Sequence, residues 1–431
     1  MQIAQDFQVT NPLDLETRGG ASNIFVSCLF ATSMFVFFEP APFDLAALLL
    51  CTAAILNKRF RIDYVPGLCG LVFLFLVARS FTLLFPEQIG SSLRFFGITT
   101  YLSIATCVLA GIIATRGPKC VEPIIYGLYL GTAVTFIAYL CVKAGIEVGS
   151  DITMAYERSR FRGFFKDPNV LGPALVPVFI CALGGLLSSA KPVKLVHLAV
   201  LLMSAIMIVA SLSRGAWLSL IVALGVFTLG AAAALKFRYL LSLVVSIAVV
   251  GMVTVAIVSF SGALPDLSES VLERIEEKRY DQDRFAVQAH LLDLALQRFW
   301  GYGPGEANRF AERLNAEESN AAHNTYIRLL FENGYLGLSV FMVLVAASIL
   351  IGAQTLRCRG DSVLYCSCGL AVVVSVAANA FFVDTLHWRH FWIFLAIIWG
   401  LSAWQRKASL YATNTDICPS REPQVSAGGI S

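Results

Sequence analysis

Three short stretches of the sequence set basic or imidazole side chains beside the signals that open helices. They are Arg162-Gly163-Phe164-Phe165-Lys166-Asp167-Pro168-Asn169, Ser213-Arg214-Gly215-Ala216-Trp217-Leu218 and His323-Asn324-Thr325-Tyr326. Pro168 suits a first helical position, where its missing amide hydrogen is no loss. A helix N-terminus offers free backbone donors and the positive end of the macrodipole, so each stretch is chemically an anion site. Arg158, Arg160, Arg162, Lys166 and Arg214 crowd the same regions, and the charged stretch 261–325 contributes Arg284. Arg79 and Arg94 lie within apolar runs. A buried arginine in a membrane span costs at least about 2.5–3.5 kcal/mol on insertion scales, which makes each a functional candidate.

The elements that must position these residues follow from composition. The chain has 431 residues, 57% hydrophobic and only 14% charged, with a mean hydropathy of +0.72. A soluble chain carries about 25% charged residues, and the apolar blocks here approach the roughly 20 residues that cross a bilayer. The expectation is an all-α polytopic membrane protein, not a soluble, disordered or small secreted one. Twelve spans are predicted at 21–38, 43–57, 64–85, 91–114, 121–142, 169–189, 194–211, 215–235, 237–260, 326–353, 362–383 and 388–405. The connections after the even-numbered spans carry Lys58-Arg59-Phe60-Arg61, Arg116 and Lys119, Lys191 and Lys194, Lys236 and Arg238, Arg357 and Arg359, and Arg406-Lys407. One count therefore puts every basic connection on one side, which the positive-inside rule makes cytoplasmic, together with both termini.

The resulting plan is a cytoplasmic tail over 1–20, spans over 21–260, a long outward loop over 261–325, spans over 326–405 and a cytoplasmic tail over 406–431, read as disordered from about Ala408. The first span acts as an uncleaved anchor. Ser270-Val271-Leu272-Glu273 reads as a capping box opening a helix in the long loop, and Gly301-Tyr302-Gly303-Pro304-Gly305 reads as a tight turn back to the membrane. None of the eleven cysteines lies in that loop, so no disulfide framework is implied, and Cys366-Ser-Cys368 reads as apolar packing. A net charge of +3 gives no reason to expect a nucleic-acid partner.

His323-Asn324, nine residues, then Gly334-Tyr335-Leu336-Gly337 resembles the His-Asn-x9-Gly-x-x-Gly signature of bacterial O-antigen ligases. Arg214-x-x-x-Leu218 is similar to the Arg-x3-Leu element of the same proteins. Phe165-Lys166-Asp167-Pro168-Asn169 and Arg284 with Gly301-Tyr302-Gly303 resemble further elements, so that residues 155–350 carry the likeness. The wider superfamily includes polymerases of lipid-linked O-antigen and exopolysaccharide repeats. The resemblance implies a GT-C-like fold and a metal-independent, inverting glycosyl transfer with no cofactor. It implies a periplasmic active site in the inner membrane, with membrane lipids around the spans. The donor would be a glycan on undecaprenyl diphosphate, and the acceptor lipid A-core or a second lipid-linked glycan.

Those substrates give the candidates their roles. A leaving diphosphate needs its developing charge held, and arginine binds phosphate bidentately without losing its proton. Arg214 comes first, then Arg284 and Arg162, with Asn324 beside the substrate; Arg79 and Arg94 line the lipid-phosphate entry or snorkel. The attacking sugar hydroxyl needs a base. His323 is the candidate, kept neutral by the helix N-terminus that follows it. Gly334 and Gly337 read as a packing face on one helix. Asp281-Gln282-Asp283 resembles a nucleotide-sugar metal motif but lies on the side where nucleotide sugars are absent. Asp384, His387, Trp388, Arg389 and His390 form either a sugar contact or an interfacial anchor. A polymerase remains open beside the ligase, and so does a transporter, although no half-repeat is visible in the sequence.

Overall fold

In lipid a backbone must satisfy its own amides, and apolar runs do so as helices. The computed structural model describes residues 16–38, 40–56, 61–146, 156–157, 160–188, 191–234, 278–314, 322–356 and 362–415. Among these are thirteen α-helices. They are α1 (Glu16–Ala31), α2 (Pro42–Leu56), α3 (Pro66–Thr82), α4 (Ile89–Arg116), α5 (Glu122–Lys143), α6 (Pro168–Ser188) and α7 (Lys191–Ala210). They continue with α8 (Arg214–Ala234), α9 (Lys278–Gln297), α10 (Glu306–Arg313), α11 (Thr325–Thr355), α12 (Ser362–Asn379) and α13 (Arg389–Thr415). A two-residue hairpin pairs Tyr156–Glu157 with Arg160–Phe161.

Helices α4, α5, α6, α7, α8, α11 and α12 are long and apolar enough to cross a membrane, and α1, α2 and α3 supply shorter apolar helices. The protein is an all-α polytopic membrane protein. Eleven of the predicted spans coincide with described helices; the span at 237–260 lies outside the described residues, as does the capping box at Ser270. Leu45, Leu48 and Leu49 on α2, Phe73 and Leu74 on α3, and Ile221 and Leu229 on α8 are exposed large apolar groups. Faces of that kind suit lipid rather than water.

The centre of the bundle is built from helices that are apolar all round. On α13 every residue from Phe391 to Ile398 is buried, and on α6 so is every residue from Leu171 to Leu183. Around them α13 packs along α4, α12 along α8, α6 along α7 and α1 along α5.

Two elements depart from the sequence reading. The tail taken as disordered from Ala408 continues in α13 to Thr415. Arg406, Lys407, Ala408, Ser409 and Leu410 contain no helix breaker, and Pro419 is the first proline beyond them. Gly334 and Gly337 do not form a regular helical face. Gly334 has φ 64° and ψ −169°, a kink inside α11. A side chain there would run into the backbone of Phe299, while Gly337 makes room for the side chain of Asn333. The kink frees carbonyls that the next turn then fills: Tyr302 N donates to Phe331 O at 2.9 Å and Gly303 N to Glu332 O at 2.9 Å. In return Tyr335 N donates to Phe299 O at 3.1 Å, so the carbonyls of Phe331 and Glu332 and the amide of Tyr335 all find partners outside the helix. Gly301, Gly303 and Gly305 all have positive φ, the tight turn expected there.

A buried ion pair locks one end of the bundle. Arg389 Nε and Nη2 donate to Asp44 Oδ1 and Oδ2, both at 2.9 Å, joining the starts of α13 and α2. Removing one partner of a buried pair costs about 3–5 kcal/mol, while replacing both with apolar groups can be neutral. Asp44→Ala is therefore expected to lower the melting temperature of the purified protein clearly, and Asp44→Ala with Arg389→Met to recover most of the loss. Thermal unfolding of the single and double variants in one detergent checks this; an unchanged melting temperature in Asp44→Ala contradicts it.

Candidate active site

The stretches singled out in the sequence open α6, α8 and α11, and they meet at one end of the bundle. Asp167 caps α6: its Oδ1 accepts from Asn169 N at 2.7 Å, and Pro168 is the first helical residue. Ser213 caps α8, its carbonyl accepting from Ala216 N at 3.0 Å and Trp217 N at 3.1 Å. Asn324 caps α11, with its Oδ1 accepting from Tyr326 N and Ile327 N, each at 3.0 Å. Each cap follows from a short polar side chain placed just before an apolar run.

Side chains then tie these ends together. Arg160 donates from Nη2 to Asn169 Oδ1 at 2.6 Å and from Nε to Ser211 O at 3.1 Å, joining the starts of α6 and α8. Gly172 lets them touch, since a Cβ there would lie 2.6 Å from Ser211 Oγ. The start of α11 is stitched to the turn after α12: Thr325 N donates to Ala380 O at 2.8 Å and Thr385 N to Thr325 Oγ1 at 2.8 Å. Arg284 on α9 reaches the same turn through Phe382 O. Gln288 Nε2, one turn further along α9, donates to His323 O at 3.2 Å.

His323 sits half-buried just ahead of the α11 cap, in a left-handed conformation at φ 45°. Burial lowers its pKa to about 4, helped by the positive charge of Arg284 and opposed by Asp167. The sequence reading gave the neutral state to the helix N-terminus; the structure gives it first to burial and then to Arg284. The imidazole is unprotonated at neutral pH, the form a general base needs. It is also within electrostatic reach of a residue from each of two other elements, α9 and the start of α6.

The remaining sequence candidates divide. Arg214 is the first residue of α8 and half-buried, beside Gly215, whose Cβ would lie 2.9 Å from Asn379 Oδ1 on α12. Arg162 lies at the rim, with Nη1 donating to Lys166 O at 3.4 Å. Asn324 spends its side-chain oxygen on the cap. Arg94 is exposed near the start of α4. Arg79 is fully enclosed: Nη1 donates to Asn333 Oδ1 at 2.7 Å, and Asn333 Nδ2 donates to Thr82 Oγ1 at 3.1 Å. It belongs to a buried layer beneath the helix ends. Asp281 and Asp283 fall in the first turns of α9, with their side chains outside the described residues.

Sequence reasoning missed Arg328, Glu332 and Asn379 of that layer. Arg328 Nε donates to Glu332 Oε1 at 2.8 Å and Arg328 Nη1 to Asp384. A signal was present, because two opposite charges four residues apart enter an apolar helix right after His323-Asn324. Asn379 had none; it is fully buried, and neither of its amide atoms has a partner among the described residues.

A family model described as O-antigen ligase matches residues 198–342. The match runs from α7 to the middle of α11 and so contains Arg214, Arg284, His323 and Asn324, but not Arg162, Arg79 or Arg94. It supports the O-antigen ligase and polymerase superfamily. No curated protein matches the chain.

The field around His323 can be tested by its titration. Arg284→Gln removes a charge that lowers the pKa, so His323 should titrate at higher pH than its starting value of about 4. Asp167→Asn removes the charge that raises it, and the titration should move the opposite way. NMR of imidazole-labelled protein reads both shifts, and identical titrations in the two variants would break the arrangement.

Proposed function

With the O-antigen ligase match over the starts of α8 and α11 as premise, we propose that the protein transfers a glycan from undecaprenyl diphosphate to an acceptor sugar hydroxyl, lipid A-core or similar, with inversion. The observation that carries this reading is one cluster: His323, held neutral by burial and by Arg284 inside the matched stretch, with Asp167 at the start of α6 opposing Arg284. His323 takes the proton from the attacking hydroxyl. Arg214, Arg284 and Arg162 hold the diphosphate as its charge develops, assisted by the positive ends of the α6 and α8 macrodipoles. Arg94 lies where a lipid phosphate can approach along α4. Arg79 acts at a distance, by fixing Asn333 beneath the α11 kink, and Asn324 by fixing the helix end that carries His323.

On this reading the helix starts face the periplasm and both termini the cytoplasm, in the inner membrane. A cysteine introduced at the exposed Glu312, in a cysteine-free background, should be labelled by an impermeant reagent in intact cells. The charge of the leaving group is met by arginines, so transfer should continue in excess EDTA; loss with rescue by Mg²⁺ would move a metal into the mechanism.

The main test uses purified protein and a defined undecaprenyl-diphosphate glycan. His323→Ala should slow single-turnover transfer by about 10²–10⁴-fold with donor binding nearly intact. Arg214→Lys keeps the charge and loses the bidentate fork, so both binding and turnover should fall, more severely in Arg214→Ala. Near wild-type transfer by His323→Ala removes the base from the mechanism. In cells, gene deletion should strip long glycan from lipopolysaccharide while lipid-linked polymer accumulates. Accumulation of single lipid-linked repeats instead would make the protein a polymerase with the same chemistry.

A further inference from the structure

Beside the helix ends lies a chamber of about 260 Å³ that the transfer chemistry leaves unused. Val170, Ala174 and Pro177 form one wall along a single face of α6. That wall runs about 10 Å from Val170 to Pro177, at ~1.5 Å per residue. Lys166 stands at the mouth and is exposed. The opposite walls come from α4, α10, α11, the turn after α12 and the start of α13. The chamber therefore adjoins the cluster above, because Asp167, whose charge reaches His323, follows Lys166 in the chain.

Its polar lining is incomplete in a specific way. Arg328 is 3% exposed and uses Nε on Glu332 and Nη1 on Asp384, yet Nη2 has no partner among the described residues. His390 is 8% exposed and its Nε2 likewise has none. Asn308 Oδ1 is a third such atom on the same chamber. Buried polar atoms without partners are rare in native proteins and call for a ligand or another explanation. Here they comprise a donor, an acceptor and an imidazole nitrogen that can be either. Between them lie apolar surface and the rings of Phe165 and Trp388.

We propose that this chamber seats one uncharged sugar ring of the glycan substrates. Hydroxyls present donors and acceptors together, which the mixed lining requires, and the C–H faces of a sugar ring pack on aromatic faces. The chamber is large enough to admit a sugar ring. A diphosphate does not fit this lining. Arg389 is already matched by Asp44 and Arg328 by Glu332 and Asp384, the neutral acceptor Asn308 Oδ1 has nothing to accept from an ionised phosphate oxygen, and the Asp384 carboxylate would repel one. The identification of the ring as part of a transferred glycan rests on the proposed function; binding of a sugar to the chamber does not.

Saturation-transfer NMR tests the chamber on the full-length protein in detergent, with methyl glycosides of glucose, galactose and N-acetylglucosamine as probes and no lipid donor. At least one glycoside should receive saturation. The signal should fall about tenfold on loss of a hydrogen-bonding partner in His390→Phe, which keeps the ring, and in Asn308→Leu, with melting temperatures confirming that each variant folds. Inorganic diphosphate in excess should not displace it. No transfer to any glycoside, an unchanged signal in both variants, or displacement by diphosphate each overturns the proposal. The two readings fail separately. Glycoside binding without glycan transfer from the lipid donor removes the transferase and leaves the chamber, while transfer without glycoside binding removes the chamber alone.

Discussion

The arrangement of the helix ends depends on the burial of Arg328 between Glu332 and Asp384. An arginine at 3% exposure in an apolar bundle is costly unless it is paired, and here two carboxylates meet it. Glu332 lies one turn along the same helix, so it can be supplied locally. Asp384 lies in the turn between α12 and α13, 56 residues away, and bringing it in fixes that turn against the start of α11. The same turn then receives Thr325 and Arg284, and with Arg284 comes the charge that acts on His323. One paired buried cation thus holds together elements from α9, α11, α12 and α13.

The cations of this end fall into two groups by environment. Arg79, Arg328 and Arg389 are enclosed, each with side-chain partners on other elements. They hold helices in place. Arg162 and Arg214 are only partly covered and stand at helix starts, where backbone donors add to their field. A site prepared for a charged leaving group needs both kinds. The first keeps donors from reorganising, and the second presents them, which is the physical content of electrostatic preorganisation.

The kink at Gly334 couples the long loop to the bundle. A straight α11 would satisfy its own carbonyls at Phe331 and Glu332 and offer nothing to the chain outside it. Because Gly334 breaks the ladder, those carbonyls take Tyr302 and Gly303 as donors instead, and the stacked rings of Tyr302 and Phe331, 4.5 Å apart, cover the junction. The turn after α9 is thereby fixed to the helix that carries His323 at its start.

How much of this could be read in advance depends on whether the cause is local. Hydropathy alone places the apolar helices, though not α9 and α10, because in lipid a long apolar run has no alternative to satisfying its own amides. Pro168, Ser213 and Asn324 mark helix starts through side-chain and backbone chemistry confined to a few neighbours, and the structure keeps all of them. The candidates His323, Arg214 and Arg284 were legible as residue types at particular spacings. What decided their surroundings was contact across the bundle. The pKa of His323 depends on burial and on Arg284, 39 positions earlier. Asn379 shows no sign of importance in the sequence, yet it is buried against the first turn of α8. Gly334 and Gly337, three apart, looked like a packing stripe, and only the approach of the Phe299 backbone turns Gly334 into a kink. The sequence by itself determined the apolar segments that are helices and the starts of α6, α8 and α11; the tertiary structure decided which buried charges meet, because desolvation and pairing depend on neighbours that sequence spacing does not reveal.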